Sequence, residues 1–117
     1  MKKEKFKVIQ FIRELLIMID SQMDNFPKKD IELKNRLRTN SYDLLEIAYE
    51  ANGIQDVKLK KHLLNKSIAK VKVIDFLLNL SFDKRIINEK RYYKFGNKMD
   101  DITKYMSGWL SSLNNKE

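Results

Sequence analysis

The sequence predicts an all-α protein folded as an up-down-up-down four-helix bundle. Only three glycines and one proline occur in 117 residues, so turns are few and the regular elements are long. Apolar residues recur at intervals of three and four through four segments, which is the spacing of one face of an α-helix. Short polar stretches separate these segments, as antiparallel bundle helices require. An all-β fold would need a turn signal every ~8–12 residues, and such signals are missing.

The chain has the length of one domain, and we expect a single bundle over residues 1–117. The periodic segments and their boundary residues predict helices over about residues 5–23, 27–51, 55–80 and 84–113. A chain of this size buries roughly two-thirds of its unfolded surface, which is enough for one core.

The first predicted helix has a broader apolar stripe than a core face needs. Val8, Ile12 and Leu15 follow the helical repeat, and Phe11 and Met18 widen the stripe on one flank. We interpret this surplus as a contact with another subunit.

Pro27 predicts the start of the second helix, because proline suits the first helical turn and disfavours the α conformation in the residue before it. Asn52-Gly53 predicts its end, with the glycine in the left-handed conformation. The predicted core positions of this helix are Leu33, Leu37, Leu44, Ala48 and Ala51. An outward stripe carries Ile31, Arg38, Tyr42, Leu45 and Tyr49. Its length predicts a subunit contact, and stacking on nucleic-acid bases is the competing interpretation.

The third and fourth helices carry the remaining core stripes. The third helix is predicted to bury Leu59, Leu63, Leu64, Val71, Ile74, Leu77 and Leu78. The fourth is predicted to bury Phe95, Met99, Ile102, Met106, Trp109 and Leu113. Their spacing of three and four is typical of helices packed in a bundle.

Basic residues are concentrated on the last two helices. The chain has 24 Lys and Arg against 16 Asp and Glu, a formal charge of +8, which favours polyanionic partners. Six lysines and no acid lie between Val57 and Ile74, and a second basic cluster from Lys84 to Lys98 is interleaved with aromatic residues. Such surfaces bind phosphates and stack on unpaired bases, and the alternative is a solvated face above core aromatics.

Signs of enzymatic chemistry are missing from the sequence. No nucleophile elbow, phosphate loop or glycine-rich fingerprint occurs. A di-iron bundle needs Glu-x-x-His motifs, but the single histidine, His62, has leucine three positions before it. Asp43, Glu46 and Glu50 share one helical face, which we interpret as an acidic stripe that is solvated or paired with basic neighbours. We therefore expect no catalytic residue, no metal site and no cofactor.

The N-terminal stretch has a basic start followed by apolar residues, as a signal peptide does. Arg13 and Glu14 interrupt the apolar stretch, and no small-residue cleavage site follows. The chain has no cysteine, which is compatible with a reducing compartment. We expect a cytoplasmic protein without an export signal or a membrane span.

Two stretches carry a family resemblance. Residues 26–52, FPKKDIELKNRLRTNSYDLLEIAYEAN, resemble the second helix of four-helix-bundle proteins related to ribosomal-RNA intervening-sequence proteins. The ending of this stretch is similar to the Avd branch, the accessory variability determinants of diversity-generating retroelements. Residues 94–113, KFGNKMDDITKYMSGWLSSL, resemble the last helix of that branch, with Ser107 in place of one glycine before Trp109.

The resemblance implies a homopentameric ring of four-helix bundles that binds RNA or DNA and partners a reverse transcriptase in the mutagenic copying of a template RNA. It implies no catalytic activity of its own. The predicted phosphate contacts are Lys58, Lys61, Lys66, Lys72, Arg85, Arg91 and Lys94. Arg36 and Arg38 would bind the polymerase or brace the ring. The alternative is an oligomeric protein-interaction bundle of the intervening-sequence type with no nucleic-acid role.

Overall fold

Four α-helices form the part of the chain that the structure describes, which confirms the predicted all-α class. The computed structural model describes the backbone of residues 2–114 and the side chains of residues 7–114, and all regular elements in that part of the chain are helical. The α-helices are α1 (Lys2–Asp20), α2 (Ile31–Gly53), α3 (Val57–Asp83) and α4 (Glu89–Asn114). Two 3₁₀ turns, Met23–Asn25 and Lys28–Asp30, form the corner between α1 and α2.

The helices pack in a closed ring of contacts. Helix α1 packs against α2 and α4, and α3 packs against the same two helices. This arrangement, joined by short connections, is compatible with a four-helix bundle about 48 Å long. Within residues 2–114, no helix combines the length and apolarity needed to span a membrane.

The apolar stripes predicted for the core are buried at nearly every position. All six predicted positions of α4, from Phe95 to Leu113, are buried, as are the five of α2. Leu59 is an exception, because it lies in the first turn of α3 beside exposed loop residues. The connections add two core residues that periodicity did not predict, Phe26 and Ile87.

Helix α2 starts and ends differently from the prediction. Pro27 has an extended backbone (φ −71°, ψ 160°), and Asp30 is also outside the α region (φ −108°, ψ 27°), so α2 begins at Ile31. Gly53 is not left-handed. It is the last helical residue, and the extended backbone of Ile54 ends the helix.

The other boundaries move by up to five residues. Helix α1 ends at Asp20 rather than residue 23. Just after this end, the Ser21 hydroxyl donates a hydrogen bond to the carbonyl of Met18 at 2.6 Å. Helix α3 continues to Asp83. Helix α4 begins at Glu89 rather than residue 84, because Asn88 accepts a hydrogen bond from the Arg91 amide at 2.8 Å and caps the helix.

Candidate nucleic-acid interface

The lysines of α3 differ in how available they are. Lys58, Lys66 and Lys72 have exposed side chains, and within the described residues none of the three has an ion-pair partner. Lys61 is half-buried and has an interaction partner of its own. Lys58, Lys66 and Lys72 are therefore the α3 cations best placed to meet an external anion, and we call them the α3 lysine face.

The acidic stripe of α2 lies beside α3 and neutralises part of its charge. The Lys70 ammonium is 3.3 Å from the Asp43 carboxylate and donates to the Asn40 side-chain oxygen at 3.1 Å. Glu46 and Glu50 line the same open cavity as Lys66 and Lys70. This agrees with the predicted pairing of the acidic stripe with a basic neighbour, and it lowers the positive potential on the α2 side of α3.

Apolar side chains interrupt the outward face of α3, and the sequence analysis missed them. Val73 is 44% exposed and Phe76 is 61% exposed, close along the helix to Lys72. Together with Ala69 and Leu80 they are spaced by four, three and four residues, which marks a second apolar stripe. That spacing could have revealed the stripe before the structure was known.

Lys98 of α4 contacts α1, whereas Arg91 and Lys94 are exposed. Lys98 pairs with Glu14 at 2.5 Å and lies over the Phe11 ring at 4.9 Å. Hydrogen bonds from Lys98 and then Gln10 lower the pKa of the Glu14 carboxyl.

The candidate cations are spread along the whole length of α3 and into the start of α4. Lys58 and Arg85 lie at opposite ends of α3, roughly 40 Å apart at 1.5 Å per residue. Arg85 lies in the turn between α3 and α4, and Arg91 follows early in α4. The α3 lysine face and the Arg85–Lys94 group would therefore contact different parts of a bound strand.

The aromatic residues of the second cluster are mostly engaged inside the protein. The Tyr92 ring stacks on Phe82 with centroids 4.2 Å apart, and its hydroxyl donates to the Asn79 side chain. Phe95 is buried, whereas Tyr93 is exposed. Of the three aromatics at positions 92, 93 and 95, only Tyr93 is free to stack on a base.

The predicted subunit-contact residues fall on two flanks of α1. The Phe11 ring packs on Tyr105 of α4 at 5.5 Å, and Met18 lies two turns further on the same flank. Tyr42 and Arg38 instead border a small cavity with Leu16, between α1 and α2. The exposed members of the α2 stripe are Ile31, Arg38, Tyr42 and Tyr49, and Leu45 is half-buried. Phe11 and Met18 therefore do not extend the α2 stripe.

Arg36 and Arg38 lie on different flanks of α2. Arg36 pairs with Glu32 at 3.6 Å and borders an open cavity of about 630 Å³ that also reaches Lys70 of α3. Arg38 faces α1. The two arginines would therefore meet different partners or different parts of one partner.

No cluster of three or more His, Cys, Asp or Glu side chains within the described residues could hold a metal ion. Comparisons with protein-family models, curated proteins and solved structures gave no match for the chain. The resemblance to the Avd branch therefore stays a prediction that depends on the two stretches quoted above.

Proposed function

We propose that this chain is a non-catalytic accessory protein that binds nucleic acid through the α3 lysine face. The observation that carries the proposal is the presence of three exposed lysines, Lys58, Lys66 and Lys72, in the acid-free segment between Val57 and Ile74. The resemblance to the Avd branch supports two further parts of the proposal. The chain assembles as a homopentameric ring, and it partners a reverse transcriptase that copies a template RNA with mutations.

The spacing of the α3 lysine face suits a phosphate backbone. Lys58 and Lys72 are 14 residues apart, about 21 Å along the helix axis. Each phosphate neutralised by a lysine changes the slope of log K against log salt by about −0.9 on duplex DNA and about −0.7 on a single strand. Three contacts per chain thus give a slope of about −2 to −3. A pentamer would carry a formal charge of +40, five times the +8 of one chain.

The test is fluorescence anisotropy of a labelled single-stranded RNA across a salt series. The variant Lys58→Gln/Lys66→Gln/Lys72→Gln should lose at least about tenfold in affinity and flatten the slope by about 2. The matched control is Arg13→Gln/Lys28→Gln/Lys104→Gln, which removes the same charge from exposed basic residues outside the α3 lysine face and the Arg85–Lys94 group. If both triple variants weaken binding equally, net charge alone explains the affinity and the α3 assignment is wrong.

The second candidate function is a protein-interaction bundle without a nucleic-acid role. The observation that favours it is the exposure of Val73 and Phe76 on α3 and of Tyr42 and Tyr49 on α2, since large exposed apolar side chains mark protein contacts. Light scattering with and without RNA separates the candidates. Under the second, Phe76→Ser lowers the oligomer mass and RNA changes nothing. A wild-type mass near 14.0 kDa contradicts both ring proposals.

A further inference from the structure

An open cleft of about 570 Å³ lies at one end of the bundle, where the α1–α2 corner meets the turn between α3 and α4. Its polar lining comprises Asn25, Lys29, Asp30, Lys84 and Arg85. Three cations from two distant parts of the chain thus converge on one cavity.

An ion pair with one buried partner bridges the two sides of this cleft. Asp30 is only 9% exposed, and its carboxylate lies 3.1 Å from the Lys84 ammonium. This contact joins the α1–α2 corner to the α3–α4 turn. Lys84 remains 43% exposed and has three N–H donors, so one contact with Asp30 leaves donors for a ligand. With Asp30 counted, the three cations leave a formal charge of +2.

Arg85 occupies a backbone position that normally belongs to glycine. Its φ is 63°, the left-handed region that disfavours side chains. The Arg85 amide donates to the carbonyl of Phe82 at 2.8 Å, and the Ile86 amide donates to that of Ser81 at 2.9 Å. These two bonds form a Schellman motif, in which Arg85 takes the usual glycine position. Helix termination alone therefore does not explain an arginine here.

We infer that this cleft binds a phosphate monoester. The +2 charge of its lining matches the charge of about −1.5 to −2 that a monoester carries at pH 7, whereas an internal phosphodiester carries a single charge. Arginine binds two phosphate oxygens through its planar fork, and lysines add point charges. No aromatic side chain of the described residues lines the cleft, so a base would not be stacked there. Recognition would therefore be independent of base sequence.

Two sources could supply this group, a free mononucleotide or phosphate ion and the phosphorylated end of a nucleic-acid strand. The strand-end source rests on the proposed function, whereas the free-ligand source does not. A cleft of this volume accommodates a phosphate with its attached sugar. The same three cations would hold the phosphate in both cases, and the experiment separates the sources.

The test measures binding of matched RNA oligonucleotides with a 5′-phosphate or a 5′-hydroxyl, together with AMP and inorganic phosphate. Amide chemical shifts in wild-type protein should move at residues 25, 26, 28–30 and 84–88, Pro27 having no amide N–H. The phosphorylated strand should bind about tenfold more tightly than the hydroxyl strand, because it alone gains the charge-assisted hydrogen bonds. If AMP and phosphate shift these amides but the two strands bind equally, the source is the free ligand.

Arg85→Gly is the decisive variant, because glycine suits the left-handed backbone and the protein should fold at least as well as wild type. It should abolish the preference for the phosphorylated probe and raise Tm. Lys29→Gln should weaken the preference, whereas Lys28→Gln, a neighbour outside the cleft, should not. The variant Lys58→Gln/Lys66→Gln/Lys72→Gln should retain the amide chemical shifts with AMP. Failure of nucleic-acid binding by the α3 lysine face can therefore be told apart from failure of the cleft to bind phosphate. The inference is overturned if no probe shifts these amides, or if Arg85→Gly and Lys29→Gln both respond to AMP and to the phosphorylated strand as wild type does.

Discussion

The pair between Asp30 and Lys84 offers a sharp test of how the two connections are held together. Asp30 precedes α2, but its side chain makes no capping hydrogen bond to the helix. Its carboxylate instead lies almost completely buried against Lys84, 54 positions further along the chain. Asp30→Asn therefore removes a long-range charged contact without removing a helix cap.

The expected loss follows from burial and from the exposure of the partner. An exposed ion pair contributes about 0–1 kcal/mol, whereas breaking a fully buried one costs about 3–5 kcal/mol. Lys84 is 43% exposed, so water replaces part of the contact, and asparagine still offers an oxygen. We expect Asp30→Asn to destabilise the protein by about 1–2 kcal/mol. For a chain of this length, that corresponds to a fall in Tm of about 4–8 °C.

The matched control is Glu32→Gln, two residues away. Glu32 is 82% exposed and pairs with Arg36 at 3.6 Å, a surface pair that contributes about 0–1 kcal/mol. Both substitutions exchange an acid for its amide and raise the formal charge by one from +8, so the general charge effect cancels. Thermal unfolding followed by circular dichroism measures both, at one protein concentration because assembly would shift Tm.

A double-mutant cycle with Lys84→Gln isolates the pair itself. The cycle should give a coupling energy of at least about 0.5 kcal/mol between positions 30 and 84. If Asp30→Asn costs no more than Glu32→Gln, the buried pair does not stabilise the corner. The same conclusion follows if the cycle gives no coupling. Either result would refute the account of how the two connections are joined.

Three other experiments test the fold. Gly96→Ala should raise the free energy of unfolding by about 0.5–1 kcal/mol in urea denaturation, because an added Cβ meets no atom within 4 Å. A lower urea midpoint than that of wild type would contradict this. Ile102→Ala should lower the free energy of unfolding by about 2–5 kcal/mol, because Ile102 is fully buried. Ile31 is exposed, so Ile31→Ala should change it by no more than about 0.5 kcal/mol, and equal losses would contradict the assigned core. The pKa of Glu14 is lowered by Lys98, so folding stability rises with pH through that titration. The advantage of wild type over Glu14→Gln should therefore be present at neutral pH and be lost progressively as the pH falls below the ordinary glutamate pKa of about 4.3 and through the lowered one, and a pH-independent difference would contradict the pairing.

Periodicity predicted the helices and their buried faces because burial repeats along each helix. The buried positions of α2 and α4 follow directly from leucine and aromatic spacing. Leu59 departs from its stripe because a residue in a first helical turn can lack neighbours on its own face. Gly53 departs from its predicted role because helix ends depend on the backbone that follows as well as on residue type. Both departures occur at helix ends, where local patterns carry least information.

The candidate site was harder to predict than the fold. A helical wheel places the α3 lysines away from the core, but it does not show which acid lies across the groove. Lys70 forms an ion pair with Asp43 of α2, and Lys98 forms one with Glu14 of α1. These partners are distant in sequence, so availability for phosphate depends on packing. Val73 and Phe76 belong to a second apolar stripe on α3. The sequence-based prediction overlooked this stripe because it considered only the charged residues of that face.

The positive charge that follows Pro27 is divided among three surfaces because of where α2 begins. A helix starting at Pro27 would place the lysines at 28 and 29 on its own first turn. The buried Asp30 instead holds residues 28–30 in a 3₁₀ turn against Lys84, and Lys29 thereby lines the cleft at the end of the bundle. Arg36 and Arg38, two positions apart within α2, then face different flanks. The buried carboxylate of Asp30 thus determines that Lys29 and Lys84 line the same cleft. A substitution at Asp30 should therefore alter the cleft more than a substitution at Arg36 or Arg38.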